Sequence, residues 1–277
     1  MTISTPEKKS RARALAALVE ARLPADFEVH GDEDAWPWVA TGLLARQAGT
    51  MLSLVGLEPS GRVTDLAVLV RDLFEHVVHL AWLGADPGRE RVEAWRKHDL
   101  SERLKADRDA SDHGVLILTA EERAEMERER DAMTGGQLKL IDLAVAADQR
   151  WLGVLPGFDI PDGDHDDVEE SDDQESDGQS FRKLYAIVYR YTSAFAHPSW
   201  RGLHRVSLDT GRTARRVAME QADPAYPFDP VGLGTLIFAT GLFVAGEALG
   251  WPAREHVVAI FNRFPGDPRT LIAAPWI

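Results

Sequence analysis

One almost entirely apolar segment constrains the fold of this chain more than any other feature. Residues Thr64–Gly84 read "TDLAVLVRDLFEHVVHLAWLG", and their apolar side chains cover most of the circumference of a helix. Thr64 is a candidate N-cap, and Gly84 followed by Pro87 marks the end. With 44% hydrophobic residues among 277, the chain can surround such a helix with others. We therefore expect this helix to lie at the centre of a mainly α-helical bundle.

Five ionisable residues interrupt the middle of this apolar helix. A rotation of about 100° per residue brings them into one arc of roughly 140°. They are Arg71, Asp72, Glu75, His76 and His79, and we call them the polar stripe. Because an unpaired buried charge is costly, we expect the polar stripe to face partner groups or a cleft rather than apolar side chains.

The rest of the chain also shows helical periodicity. Apolar residues recur at three- and four-residue spacing in Arg11–Leu23 and Pro37–Gly56. Thr119, with Glu122 three residues later, predicts a capping box. Further helices are predicted in the charged stretch from Arg89, in the stretch after Gly136, from Phe181 to about His197, at about Val231–Gly250 and at Pro252–Phe264. Weak alternation around Asp209-Thr210-Gly211 predicts one small β-hairpin near 203–219.

An acidic segment divides this helical chain. Asp159–Asp177 contains eleven carboxylates and no lysine or arginine, which accounts for most of the net charge of −14. Such a stretch has too few apolar residues to bury, so we predict a disordered acidic linker at 158–179. Residues 1–157 then form the N-terminal helical part of the bundle, and 180–277 supply C-terminal helices that pack on the same bundle.

Composition also bears on compartment. The chain has no cysteine, which excludes disulfides and thiolate metal sites. Its N-terminus scatters charges among apolar residues, unlike a secretory signal, so a cytoplasmic location is expected. The apolar stretch Val231–Gly246 is short for a membrane span of about 20 residues and is rich in glycine. We predict that it is a buried helix and that the protein has no membrane partner.

A second row of polar residues is predicted on the helix that begins at Phe181. Tyr185, Tyr189, Ser193 and His197 follow one another at four-residue steps, and such residues are neighbours on a helix surface. We call these four residues the tyrosine ridge. Arg190 precedes His197 by seven residues, or two turns, so the two side chains lie on the same face. The polar stripe and the tyrosine ridge are complementary and predict one shared site.

At these residues the chain resembles a family of uncharacterised bacterial proteins. The motifs are "RDLFEHVVHLAWLGADP" and "YRYTSAFAHPSW", and the resemblance covers about Pro37–Ser207. This family of unknown function is distantly similar to the HEPN superfamily of helical ribonucleases. The resemblance implies a metal-independent endoribonuclease, often a toxin or antiviral effector, that works as a homodimer without a cofactor. Its signature is an arginine, a polar residue and then a histidine with four to six residues between arginine and histidine.

Two places in this sequence fit that spacing. Arg71-Asp72 with His76 has four intervening residues, and Arg190 with His197 has six, although Tyr191 stands where a polar residue is expected.

The resemblance implies a role for each candidate residue. RNA cleavage without a metal requires a base for the 2′-hydroxyl, an acid for the leaving oxygen and a cation for the phosphate. The implied catalytic residues are Arg71, Glu75, His76, Arg190 and His197, with the histidines as acid or base, the arginines on the phosphate and Glu75 orienting a neighbour. The implied substrate-binding residues are Asp72, His79, Tyr185, Tyr189 and Ser193. The implied partners are RNA or a nucleotide and a protein antitoxin or regulator.

The sequence leaves three alternatives open. Arg71 and Glu75 can form a purely structural salt bridge, with the histidines bonded to backbone carbonyls. The protein can instead be a non-catalytic module that binds a nucleotide or another protein. A third alternative is a metal-dependent helical hydrolase or oxidase in which Glu75 and His79, with His76 or His197, hold zinc, iron or manganese.

Overall fold

The computed structural model describes most of the chain outside the acidic segment. The described residues are 5–23, 36–60, 63–86, 88–136, 138–151, 180–189, 192, 207–209, 215–217 and 229–263. The predicted acidic linker at 158–179 lies outside these ranges, so its disorder stays a prediction.

Helices make up nearly all of the described chain, as the periodicity predicted. They are α1 (Thr5–Arg22), α2 (Trp36–Leu57) with a 3-10 turn at Glu58–Ser60, α3 (Val63–Ala85), α4 (Arg89–Asp112), α5 (Ala120–Ala132), α6 (Leu140–Trp151), α7 (Phe181–Leu184) followed by a π-helical turn at Tyr185–Tyr189, α8 (Pro230–Leu249) and α9 (Ala253–Arg263). Two three-residue strands, β1 (Ser207–Asp209) and β2 (Arg215–Val217), pair antiparallel.

Helix α3 lies at the centre of the bundle. It packs against α2, α6 and α8, and the π-helical turn also contacts it. Val70, Leu73 and Phe74 are fully buried, so their apolar surface is removed from water at roughly 25 cal/mol per Å². The central position predicted from its apolar circumference is confirmed.

Helix α8 is the second buried element. Its window Pro230–Glu247 is apolar and long enough to cross a membrane, and 94% of that window is buried inside the protein. The helix therefore belongs to the core, as predicted. Gly250 ends it in the left-handed conformation, with φ 68°, which glycine adopts without steric cost.

Two glycines allow α8 to lie close to its neighbours. A Cβ atom at Gly234 would come within 2.5 Å of Leu54 Cδ2, and one at Gly241 would overlap Gln47 Oε1. Both contacts involve α2, and they are shorter than real Cβ contacts. The glycines, seven residues apart and thus on one face, set the distance between α8 and α2.

Local signals in the sequence differ in how well they match the structure. The capping box is confirmed, since Thr119 Oγ1 accepts from the backbone of Glu122 while the Glu122 carboxylate accepts from the backbone of Thr119. The N-cap at Thr64 is wrong, because α3 already begins at Val63. The helix from Phe181 is also less regular than predicted, because it widens into the π-helical turn.

The small β-hairpin predicted near 203–219 is not confirmed. Ser207 pairs with Val217 and Asp209 with Arg215, inside the range 203–219. The residues between the two strands lie outside the described chain, so the turn that would make them a hairpin stays a prediction.

Candidate functional site

Arg71 joins the polar stripe to the tyrosine ridge. Its Nε donates to Glu75 Oε1 at 2.7 Å, one helical turn along α3. Its Nη2 donates to the hydroxyl of Tyr189 at 2.9 Å, across 118 residues of sequence. The guanidinium also lies 4.3 Å from the centroid of the Tyr189 ring, where the ring quadrupole attracts a cation. The two polar rows thus meet at Arg71 and Tyr189.

The two tyrosines of the ridge form a stack. The rings of Tyr185 and Tyr189 lie 4.8 Å apart with 14° between their planes. They lie at the two ends of the π-helical turn, a kind of turn found frequently at functional sites. Arg190, Ser193 and His197 lie outside the described residues, so their places in the site stay predictions.

Asp148 of α6 holds the start of this segment. Its carboxylate accepts from Ser180 Oγ at 2.7 Å, from the backbone N–H of Phe181 at 2.6 Å and from that of Arg182 at 3.1 Å. Ser180 Oγ in turn accepts from the backbone of Lys183. The unbonded N–H groups at the start of α7 are therefore capped by a residue from another helix. Ser180 was visible as an N-cap residue type, but no local pattern indicates Asp148.

His76 and Asp72 lie beside the Arg71 contacts, on the side of α3 that faces α2. Asp72 Oδ2 accepts from Thr50 Oγ1 at 3.1 Å and lies 3.5 Å from His76 Nδ1. The His76 side chain is 13% exposed. Burial lowers the pKa of His76; Asp72 opposes the shift, and the charge of Arg46 on α2 adds to it. The imidazole is therefore mostly neutral at pH 7.

His79 is held by the backbone and by α4. Its Nδ1–H donates to the carbonyl of Glu75 at 2.8 Å; a carbonyl can only accept, so this tautomer is fixed. Its ring lies 6.1 Å from that of Trp95. Burial lowers the pKa of His79, against the effect of the Glu75 carbonyl and carboxylate, and His98 of α4 lowers it further. The Arg71–Glu75 salt bridge and this backbone bond are the contacts that the structural alternative predicted.

We expect the free energy of unfolding to fall as the pH is lowered below about 6.5, the ordinary histidine pKa. The folded-state pKa values of His76 and His79 are lowered. At pH values between these lowered pKa values and about 6.5, the unfolded chain therefore binds more protons than the folded protein, and stability rises with pH. This contribution is complete above that window and is lost below it. Urea unfolding at about pH 7.5 and about pH 5.5 measures it.

Two variants test this pH dependence: one lacks both buried histidines, and the other is a control. His76→Gln/His79→Gln should show a smaller stability difference between the two pH values than the unsubstituted protein. His113→Gln changes an exposed histidine and should leave the difference unchanged. An unchanged difference in the double variant would contradict the role of the two buried histidines.

The metal alternative finds no support among the described residues. No three histidine, aspartate or glutamate side chains of that part of the chain form a group that could hold a metal ion. Glu75 already accepts from Arg71, and His79 Nδ1 donates to a carbonyl. Because His197 lies outside the described residues, a site that includes it stays a prediction.

The comparison with known families covers both polar rows. A family model described as "Family of unknown function (DUF5677)" matches residues 38–213, more than half of the chain. The expected membership in a family of unknown function over about Pro37–Ser207 is thereby confirmed, whereas no comparison links the chain to the HEPN superfamily. No curated protein and no solved structure matches the chain significantly.

Proposed function

Since this chain belongs to DUF5677, a family of unknown function, we propose that it is a metal-independent, HEPN-like endoribonuclease with its site between α3 and the segment from Tyr185 to His197. The observation that carries the proposal is the contact of Arg71 with Tyr189. It brings together the arginine of one signature-like motif and Tyr189, the residue that directly precedes Arg190 of the other. The biological role proposed with it is that of a toxin or antiviral effector acting on RNA as a homodimer.

A neutral, buried histidine supports the choice of His76 as the general base. A base that removes the proton of a 2′-hydroxyl must be unprotonated, and its efficiency is greatest when its pKa lies near the working pH. Burial lowers the pKa of His76 while Asp72, 3.5 Å away, opposes a larger shift. His76 can therefore accept a proton at pH 7 and then hold it beside a carboxylate.

A fixed guanidinium supports the choice of Arg71 as the phosphate ligand. Its planar group is oriented from two sides, by Glu75 and by the hydroxyl and ring of Tyr189. Orientation before substrate binding reduces the reorganisation that charge stabilisation needs in the transition state. The side chain is 17% exposed, so it is not sealed in the core. In the proposal Arg190 and His197 supply the second cation and the general acid.

An RNA cleavage assay with excess EDTA tests this function. The purified protein should cleave single-stranded RNA in the presence of the chelator, and His76→Ala should slow cleavage by roughly 100-fold, the lower range for loss of a general acid or base. His197→Ala should have an effect of similar size. His113→Ala, which changes an exposed histidine, serves as the control and should cleave at the normal rate.

The assay also separates the two alternatives. Cleavage that EDTA abolishes would replace the proposal with the metal-dependent one. Absence of cleavage of any RNA, together with retained folding, would leave the non-catalytic binding module. Arg71 bonds both to Glu75 and to Tyr189, as in a structural ion-pair network, so under that outcome these contacts have the structural role described above.

A further inference from the structure

A basic cavity lies on α4, away from the polar stripe. It has a volume of about 470 Å³, within the range of roughly 300–1,000 Å³ that small-ligand sites occupy. It is bounded by one face of α4, by Arg130 near the end of α5 and by Gly136 after that helix. The lining residues on α4 are Lys97, His98, Ser101, Glu102, Leu104, Lys105 and Arg108.

Positive charge dominates this cavity although the chain as a whole has a net charge of −14. Its charged lining consists of Lys97, Lys105, Arg108 and Arg130 against Glu102 alone. The lining as a whole is therefore positive, and an anion that enters the cavity is attracted to it.

The four cations differ in the hydrogen bonds and ion pairs that they make within the protein. Lys97 donates to the Met133 carbonyl at 2.8 Å, and Arg130 pairs with the neighbouring Asp131. Lys105 and Arg108 are exposed and have no hydrogen bond or ion pair with any described residue. Two of the cations are thus already bonded within the protein, and two are exposed without such a bond.

We propose that this cavity binds a ligand that carries a chain of two or more phosphate groups. Lys97 and Lys105 are eight residues apart, a separation of about 12 Å along α4, so the cations span more than one phosphate. Arginine binds phosphate through paired hydrogen bonds, and lysine contributes a point charge. The lining includes no phenylalanine, tyrosine or tryptophan, and His98 supplies its single ring, so the cations rather than a stacking surface provide recognition. None of these residues belongs to the polar stripe or the tyrosine ridge.

Calorimetric titration of the full-length chain with inorganic tripolyphosphate tests the site. The unsubstituted protein should bind it, and Lys105→Glu/Arg108→Glu should weaken binding at least tenfold, as expected for the loss of two charge-assisted contacts. The double variant Lys105→Gln/Arg108→Gln should weaken it less. Arg103→Glu is the matched control, because Arg103 is an exposed α4 arginine outside the cavity lining, and it should bind nearly normally.

Further ligands distinguish the source of the phosphate chain. A nucleoside triphosphate that binds as tightly as tripolyphosphate supports the phosphate chain as the recognised group. Tighter binding of a short RNA, whose phosphates are separated by ribose, would overturn the proposal in favour of a polynucleotide backbone. Orthophosphate that binds as tightly as tripolyphosphate would overturn the proposal, as would equal affinity in the double variant. No step involves RNA cleavage, so this outcome is independent of the proposed ribonuclease activity.

Discussion

Replacing Trp151 with alanine is expected to lower the free energy of unfolding by about 3–5 kcal/mol, the usual cost of truncating a buried tryptophan. The side chain is 2% exposed, and its Nε1–H donates to the carbonyl of Ala81 at 2.8 Å. It therefore joins the end of α6 to the central helix α3. Truncation removes apolar burial, leaves a cavity and breaks a buried hydrogen bond at the same position.

A second tryptophan provides a matched control for this substitution. Trp38 lies near the start of α2 and is 50% exposed, so Trp38→Ala should cost less than about 1 kcal/mol. Urea unfolding of both variants and of the unsubstituted protein gives the two differences. Similar losses in both variants would contradict the assignment of Trp151 as the anchor of α6.

Replacing Asp148 with alanine is expected to lower the free energy of unfolding by about 2–3 kcal/mol. A hydrogen bond to a charged carboxylate contributes about 1.5–3 kcal/mol, and the bonds that Asp148 accepts are not additive because they hold the same helix start. The substitution removes the acceptor of Ser180 Oγ and of two backbone N–H groups. The larger consequence is local. Residues 180–189 lose the bonds that hold them to α6, so the Arg71–Tyr189 contact should open more often.

Amide hydrogen exchange measures this local effect. Exchange in residues 181–189 should become faster in Asp148→Ala than global destabilisation alone requires. Asp148→Asn retains a carbonyl acceptor and should show an intermediate effect. Asp142→Ala changes an exposed carboxylate in the first turn of α6 and should leave exchange in 181–189 unchanged. Unaltered exchange in Asp148→Ala would show that other contacts hold this segment.

The helices and the capping box could be predicted because their signals are local. The apolar pattern of α3 determined its burial, and Thr119 with Glu122 determined the start of α5. The polar stripe could be identified for the same reason, since the geometry of one helix fixes which of its residues share a face. The Arg71–Glu75 salt bridge needs no information beyond that spacing.

The acceptor of the α7 cap could not be predicted in this way. Asp148 lies 32 residues before Ser180. The residues around Asp148 in the sequence do not distinguish it from the other aspartates of this chain. The π-helical turn at Tyr185–Tyr189 was missed because the residues alone favour an ordinary helix. The basic cavity combines side chains of α4 and α5 with the segment that follows α5. It could not be predicted from α4 alone, because that helix carries many residues of both charges and shows no excess of cations.

The sequence by itself thus determined which segments are helical, which of them is buried and which ionisable residues share one face of α3, because hydrophobic periodicity and helical geometry act over a few residues. The tertiary structure alone decided that Arg71 meets Tyr189, that Asp148 caps α7 and that α8 approaches α2 at Gly234 and Gly241. Those pairings depend on how helices pack, and packing is fixed by the shapes of many side chains together.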